Sequence, residues 1–192
     1  MAKLKAVLKK TLIKLDLGCG PNPKEGFIGV DSIAFNDKVK QFDLGSSEWP
    51  WADNSVEESY CSHFLEHLTN LDDKWERVNF FNELYRVTIA GGKCHLVIPH
   101  WCSNRYYGDP THKEPFSEMG FYYLDPNWRV GNAPHADIKN NPNGYSCHWN
   151  CTWGYAMHES LHARNSEYQQ FAIQFYKEAC QDIICTMVAN KD

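Results

Sequence analysis

Residues 11–20 read TLIKLDLGCG, an apolar strand pattern that runs straight into Gly18 and Gly20. Only six residues separate Gly20 from Phe27, where a second short strand, GFIGVDS, closes on Asp31. Strand, glycine turn, strand and terminal acid in this order predict an open α/β sheet. In such sheets a ligand binds outside the carboxyl ends of the strands, where this turn must lie. Glycines let the backbone approach a ligand closely, and the acid is a natural acceptor for two ribose hydroxyls. A parallel crossover usually takes about a dozen residues or more, commonly as a helix. The first crossover is therefore expected to be a turn, with no helix dipole at its start and loop amides in its place.

The following segments extend the same pattern. VKQFDL (39–44) and SVEESYCS (55–62) read as third and fourth strands, and KCHLVIP (93–99) as a buried strand. Between them Trp75, Val78, Phe81, Leu84 and Tyr85 fall three or four apart, predicting a helix from about Asn70 to Ile89. Asn70 or Asp72 would cap its start and Gly91-Gly92 would stop it. Ser166–Ala179 has helical character, and QDIICTMVA (181–189) reads as a closing strand. Strands alternating with helices predict a parallel sheet covered on both faces. From His100 to His158 lie four of the seven tryptophans and six of the ten tyrosines, among Asn, Pro and Gly and without a sustained period. That stretch is expected to be an irregular cover over a site, at about residues 100–160 of a single domain, 1–192.

Charge narrows the partners. The net charge is −5, and Lys3, Lys5, Lys9 and Lys10 crowd the first ten positions, so the remainder is more acidic still. Nucleic acid is not favoured as a partner, since phosphate binding needs many Lys and Arg. No run of eighteen apolar residues is present, and the basic start lacks the apolar stretch and cleavage site of a secretory signal. The eight cysteines are then expected to be reduced thiols of a cytoplasmic protein, with Cys61 and Cys94 buried in strands.

Three strings raise metal chemistry. SHFLEHL places His63 and His67 around Glu66 in the inverted zinc-peptidase order, and HESLH places His158 and His162 around Glu159 in the forward order. HESLH needs a helix and a third ligand, for which Glu167 and Glu178 are the nearest acids. Cys147, Cys151, His158 and His162 form a Cys2His2 set with six residues between the pairs, where a zinc finger leaves about twelve.

The blocks LDLGCGPNP, GVDS, FDL, WPWADNSVEESYCSHFLEHL and ELYRVTIAGGKCHLVIP stand in the order and spacing of the class I S-adenosylmethionine-dependent methyltransferases. They most resemble the type 11-like branch, whose fourth strand runs into a His-x-Leu-Glu-His helix start. The resemblance covers about residues 12–99. It implies a Rossmann-like, doubly wound, mostly parallel seven-stranded sheet. Here that sheet has a shortened first crossover and an aromatic-rich insertion after strand five.

The resemblance also implies roles. Asp16, Gly18, Cys19 and Gly20 would line the methionine end of S-adenosylmethionine, Asp31 would hold the ribose, and Asp43 with Leu44 would contact adenine. Ser62 and His63 would face the methionine moiety and the methyl group, which leaves SHFLEHL without a metal. YYGDPTHKEPFS resembles a segment that lies over the acceptor site in some of these enzymes. His100, Asp109 and His112 are thus candidates for a general base, with histidine suited to neutral pH. Trp101, Tyr106 and Tyr107 are candidate acceptor walls, although buried aromatics more often fill a core.

The implied activity is methyl transfer to an oxygen or nitrogen of a small molecule. DNA base methylation is not favoured, because HFLEH stands where an Asn/Asp-Pro-Pro-aromatic string would be. Two alternatives stay open at this level. One is a zinc hydrolase using either histidine string, and the other is a non-catalytic protein that binds S-adenosylmethionine.

Overall fold

The structure, a computed structural model, describes residues 11–191; the basic stretch with Lys3, Lys5, Lys9 and Lys10 lies outside the described residues. Seven strands form one sheet: β1 (Ile13–Leu17), β2 (Ile28–Asp31), β3 (Val39–Gln41), β4 (Val56–Ser62), β5 (Thr88–Pro99), β6 (Trp149–Met157) and β7 (Cys180–Ala189). Their spatial order is β3-β2-β1-β4-β5-β7-β6. The first five strands run parallel, and β7 is antiparallel to both neighbours. The helices are α1 (Glu76–Val87), α2 (Asn104–Tyr107), α3 (Met119–Tyr122), α4 (Pro126–Asn132) and α5 (Ser166–Phe175).

Strand alternation decides what is buried. Leu15, Leu17, Cys61, Cys94, Leu96 and Ile98 point to one side and pack with Phe80, Phe81, Leu84 and Val87 of α1. Phe116, Phe121 and Trp153 extend the same core under the segment after β5. The opposite face carries Lys14, Glu58, Tyr60, His95, Thr152 and Thr186, half-buried or exposed. Here the structure differs from a sheet covered on both faces. Right-handed crossovers running β1 to β2 to β3 would place helices on that side, and among the described residues those connections contain none. The compressed turn after Gly20 is the first of them.

The helix boundaries also shift. α1 starts at Glu76, because Asp72, Asp73 and Trp75 sit in left-handed backbone (φ 54°, 58° and 54°). Asn70 still serves its first turn from a distance, its Oδ1 accepting from the backbone N–H groups of Arg77 (3.1 Å) and Val78 (3.3 Å). Gly91-Gly92 does not stop the helix. Val87 passes directly into Thr88, which is extended (ψ 140°). Pairing jumps from Val56↔Thr88 to Glu58↔Lys93, so residues 89–92 bulge out of β5 around Gly91 (φ 72°).

The stretch read as irregular up to residue 158 in fact ends in β6. Trp149, Cys151, Trp153 and Tyr155 alternate inward along it, a period-2 signal hidden by the surrounding aromatics. All eight cysteines are free thiols. Among the described residues no helix is long and apolar enough to cross a membrane.

Candidate active site

The site forms where β1, β2, β4 and β5 end. Gly18 (φ 68°) and Gly20 (φ 57°) both take left-handed backbone, which glycine adopts without a steric penalty. The N–H groups of Gly18 and Cys19 donate to the Val30 carbonyl at 2.8 and 3.2 Å. Gly20 N–H donates to Asp31 Oδ2 at 2.9 Å. These three loop amides are therefore spent inside the turn. A Cβ on Gly18 would lie 2.4 Å from the Phe64 ring, whereas one on Gly20 would meet nothing within 4 Å. The turn after β4 thus packs on Gly18, and the open side of the loop is at Gly20.

The side chains around this loop are acceptors. Asp16 is 5% exposed and accepts from Lys24 N–H at 2.7 Å. Burial raises its pKa against that hydrogen bond. Asp31 Oδ1 also accepts from Ile33 N–H at 3.1 Å and from the Ser32 hydroxyl at 3.4 Å, while Oδ2, bonded to Gly20, keeps a lone pair free. Burial, with Asp16 and Asp31 nearby, pushes the Cys19 thiol up to about 11. The pair Asp43–Leu44 is split: Asp43 is exposed, while Leu44 is 1% exposed within the core.

Past β4, Ser62 ends the strand half-buried and His63 turns at φ 52°. Its Nδ1 lies 3.5 Å from Glu66 Oε1 and its Nε2 3.8 Å from Asp182 Oδ1. These carboxylates, Glu66 foremost, raise the His63 pKa against partial burial. Asp182 opens β7 nearly buried and pairs with Arg105 of α2. Sequence reasoning missed Asp182, though an acid inside the apolar run QDIIC was a visible signal.

Glu66 belongs to a one-turn 3-10 helix, Leu65–His67, not to an α-helix, so His63 and His67 do not share a face. The segment after α2 closes over it instead: Lys113 N–H donates to the Glu66 carbonyl at 2.9 Å. His112 Nε2 then lies 3.8 Å from both Glu66 Oε1 and Asp109 Oδ2. Asp109 accepts from the Thr111 amide and hydroxyl at 2.8 and 2.6 Å, which lowers its pKa.

His100 sits apart from that group. It is 1% exposed, with Nε2 3.3 Å from Glu118 Oε1. His100, Trp101, Glu118 and Tyr155 of the fold's core side and Gln170, Ile173 and Gln174 of α5 line a cavity of about 460 Å³. A second depression, also about 460 Å³, shares Trp101 and Glu118. Glu118 was not singled out in the sequence. Tyr106 is buried beside His112, their rings 5.4 Å apart, and Tyr107 is 64% exposed.

Neither remaining zinc set gathers. Residues 158–162 form a 3-10 turn whose His158 side chain caps it by accepting from Ser160 N–H, so the histidines lack the helical spacing HESLH requires. Cys151 lies within β6, whose run to Met157 carries the chain about 20 Å away from Cys151 before His158 is reached.

No protein-family model matches the chain, and no significant match was found among curated proteins. Solved structures do match. A SAM-dependent methyltransferase from Archaeoglobus fulgidus superposes with a TM-score of 0.60 at 18% identity, covering 94% of this chain and 87% of that one. Geranyl diphosphate C-methyltransferase from Streptomyces coelicolor A3(2), in complex with Mg2+, geranyl diphosphate and S-adenosyl-L-homocysteine, gives 0.51 at 12% identity, covering 95% and 72%. The YcgJ protein of Bacillus subtilis gives 0.51 at 13% identity, covering 95% and 94%. The chain has the fold of the class I S-adenosylmethionine-dependent methyltransferases.

Proposed function

We propose that this protein is an S-adenosylmethionine-dependent methyltransferase that transfers a methyl group to an oxygen or nitrogen of a small-molecule acceptor by in-line displacement. The observation that carries the reading is the Gly20–Asp31 hydrogen bond at the carboxyl ends of β1 and β2, in a sheet of order β3-β2-β1-β4-β5-β7-β6. The donor set supports the ligand. Asp16, Asp31 and Asp43 offer acceptors only, which suits an ammonium group, a ribose diol and an exocyclic amine, and repels a phosphate. The open side of Gly20 leaves room for a ligand to lie on the loop. A neighbour of the same fold was solved with S-adenosyl-L-homocysteine.

In this reading Asp16, Gly18, Cys19 and Gly20 line the methionine end, Asp31 takes the ribose hydroxyls, and Asp43 with the Leu44 backbone lies toward adenine. Ser62 and His63 stand on the methyl side. S-adenosylmethionine, when bound, supplies an already activated methyl, so the protein's work is alignment and exclusion of water. Residues of about 100–160 cover the acceptor, within one domain. His100 is the base of choice because it lines the cavity, where it can accept a proton from an acceptor hydroxyl or ammonium. Asp109 and His112 are alternatives, with Tyr106 and Tyr107 beside them, and Trp101 supplies a wall of the cavity. Eight free thiols suit a reducing, cytoplasmic setting.

Calorimetry with S-adenosylhomocysteine tests this. Saturable binding is expected, weakened at least about tenfold in Asp31→Ala, as loss of a charged acceptor requires. A wild-type chain that binds nothing overturns the proposal. Binding without any methylated product from metabolite pools would favour a non-catalytic cofactor-binding protein.

A further inference from the structure

The group around Glu66 is not explained by methyl transfer. Glu66 is 2% exposed, and neither carboxylate oxygen has a hydrogen-bond partner among the described residues. Buried carboxylates are ordinarily paired, hydrogen-bonded or bound to a metal. The nearest cationic candidate is His63, whose Nδ1 at 3.5 Å is out of hydrogen-bond alignment and whose side chain is 43% exposed.

We propose that Glu66, His67 and His112 form a binding site for a divalent transition-metal ion. One ligand atom from each side chain lies within 4.8 Å of the other two, and among the described residues no other three His, Cys, Asp or Glu converge in this way. An ion bonded at about 2.0–2.1 Å requires each ligand atom to move inward by less than about 1 Å. Both imidazoles are held from behind. His112 Nδ1 donates to the Tyr106 carbonyl at 2.6 Å, so the neutral ring directs the lone pair of Nε2 toward Glu66 Oε1, 3.8 Å away. A metal-bound histidine typically has its other nitrogen anchored in this way, which fixes tautomer and orientation. His67 Nδ1 touches the Thr111 carbonyl at 3.4 Å and its hydroxyl at 3.3 Å.

Without an ion, the lone pair of His112 Nε2 faces two carboxylates, Glu66 and Asp109, each at 3.8 Å. A cation held by Glu66, His67 and His112 converts facing acceptors into ligands. Two imidazoles and a carboxylate suit zinc, iron(II) or cobalt(II). They do not suit magnesium or calcium, which take oxygen ligands, nor copper(I), which takes sulfur. Three protein ligands leave a position open. The sequence suggested His63 with His67 as the imidazole pair; the 3-10 turn separates them, and the chain's return at Thr111–Lys113 supplies His112 instead.

The full chain, stripped with a chelator, is titrated with Zn2+ against a competing chelator dye and with Co2+ in the visible spectrum. About one ion per chain is expected, with a Co2+ spectrum of low coordination number. Glu66→Gln and His112→Ala should each weaken Zn2+ binding at least about 100-fold, because each removes a direct ligand, while His162→Ala leaves it unchanged. Failure of the wild type to take up either ion overturns the proposal, and leaves His63 as the neighbour that balances Glu66. Equal binding by variants that keep wild-type circular dichroism also overturns it. If both variants misfold, proton NMR of the wild-type Co2+ form decides. Paramagnetically shifted resonances from two imidazoles support the site, and their absence overturns it.

Discussion

The backbone N–H of Gly20 donates to Asp31 Oδ2 across 2.9 Å, fastening the turn after β1 to the acid that closes β2. One carboxylate therefore holds the loop and faces the place where a ligand would lie. The two roles separate by substitution. Asp31→Asn keeps an oxygen for Gly20 but loses the charge, and Asp31→Ala loses both. Urea unfolding should show Asp31→Ala costing about 1–2 kcal/mol and Asp31→Asn less than about 1 kcal/mol. Equal costs would mean that the bond contributes nothing to the turn.

Two glycines two residues apart should respond differently. Both have positive φ, and a left-handed alanine costs roughly 1–2 kcal/mol. Gly20→Ala should cost that much and no more, since its Cβ would stand in open space. Gly18→Ala adds a collision with Phe64 at 2.4 Å and should cost several kcal/mol or leave the chain unfolded. Comparable midpoints in urea would refute this division.

The contrast between these glycines shows where sequence reading stops. The succession of the first five strands, the short first crossover and the acid closing β2 are local patterns, and each was legible from spacing, whereas the seven-stranded sheet rested on the family resemblance. Phe64 over Gly18, and His112 over Glu66, are meetings across 46 residues of chain in each case, which no period encodes. The start of α1 was displaced for a related reason: Asn70 caps from six residues before Glu76, across a left-handed stretch that propensity does not anticipate. β6 escaped because its alternation, Trp149, Cys151, Trp153 and Tyr155, lies in a segment already dense in aromatics. The glycine and acid positions of the candidate site were visible, while Asp182 and Glu118 required the sheet to bring β7 and the loop after β5 together.

The Cys19 thiol should be inert despite its partial exposure. With its pKa pushed up to about 11 by burial and the carboxylates of Asp16 and Asp31, roughly one molecule in a thousand carries the thiolate at pH 8. The sign is that of an acid whose charged form is disfavoured, so reactivity is gained only as pH rises toward 11. Iodoacetamide labelling followed by mass spectrometry should find Cys19 unmodified at pH 8 and labelled near pH 10.5. Asp31→Asn should shift that rise to lower pH. Rapid labelling at pH 8 would refute the assignment.

A buried guanidinium ties together the part of the insertion between residues 123 and 147. Arg129, 1% exposed, donates from Nε to Asp137 Oδ2 at 2.9 Å, from Nη1 to the Tyr123 carbonyl at 2.7 Å and from Nη2 to the Cys147 carbonyl at 3.2 Å. These partners come from three stretches of the insertion, so the side chain ties α4 to the segments on either side of it. Arg129→Met leaves Asp137, itself 5% exposed, without its counter-charge, and should cost about 3–5 kcal/mol. Lysine would not rescue it, since one ammonium cannot reproduce the planar fork. Arg129→Met combined with Asp137→Leu removes the orphaned carboxylate as well, and should recover part of the loss. If the double variant is as unstable as the single, the cost lies in the two unsatisfied carbonyls rather than in the ion pair. Chemical denaturation of the three chains under one set of conditions distinguishes the two, and an Arg129→Met chain within about 1 kcal/mol of wild type would refute the role of the guanidinium altogether.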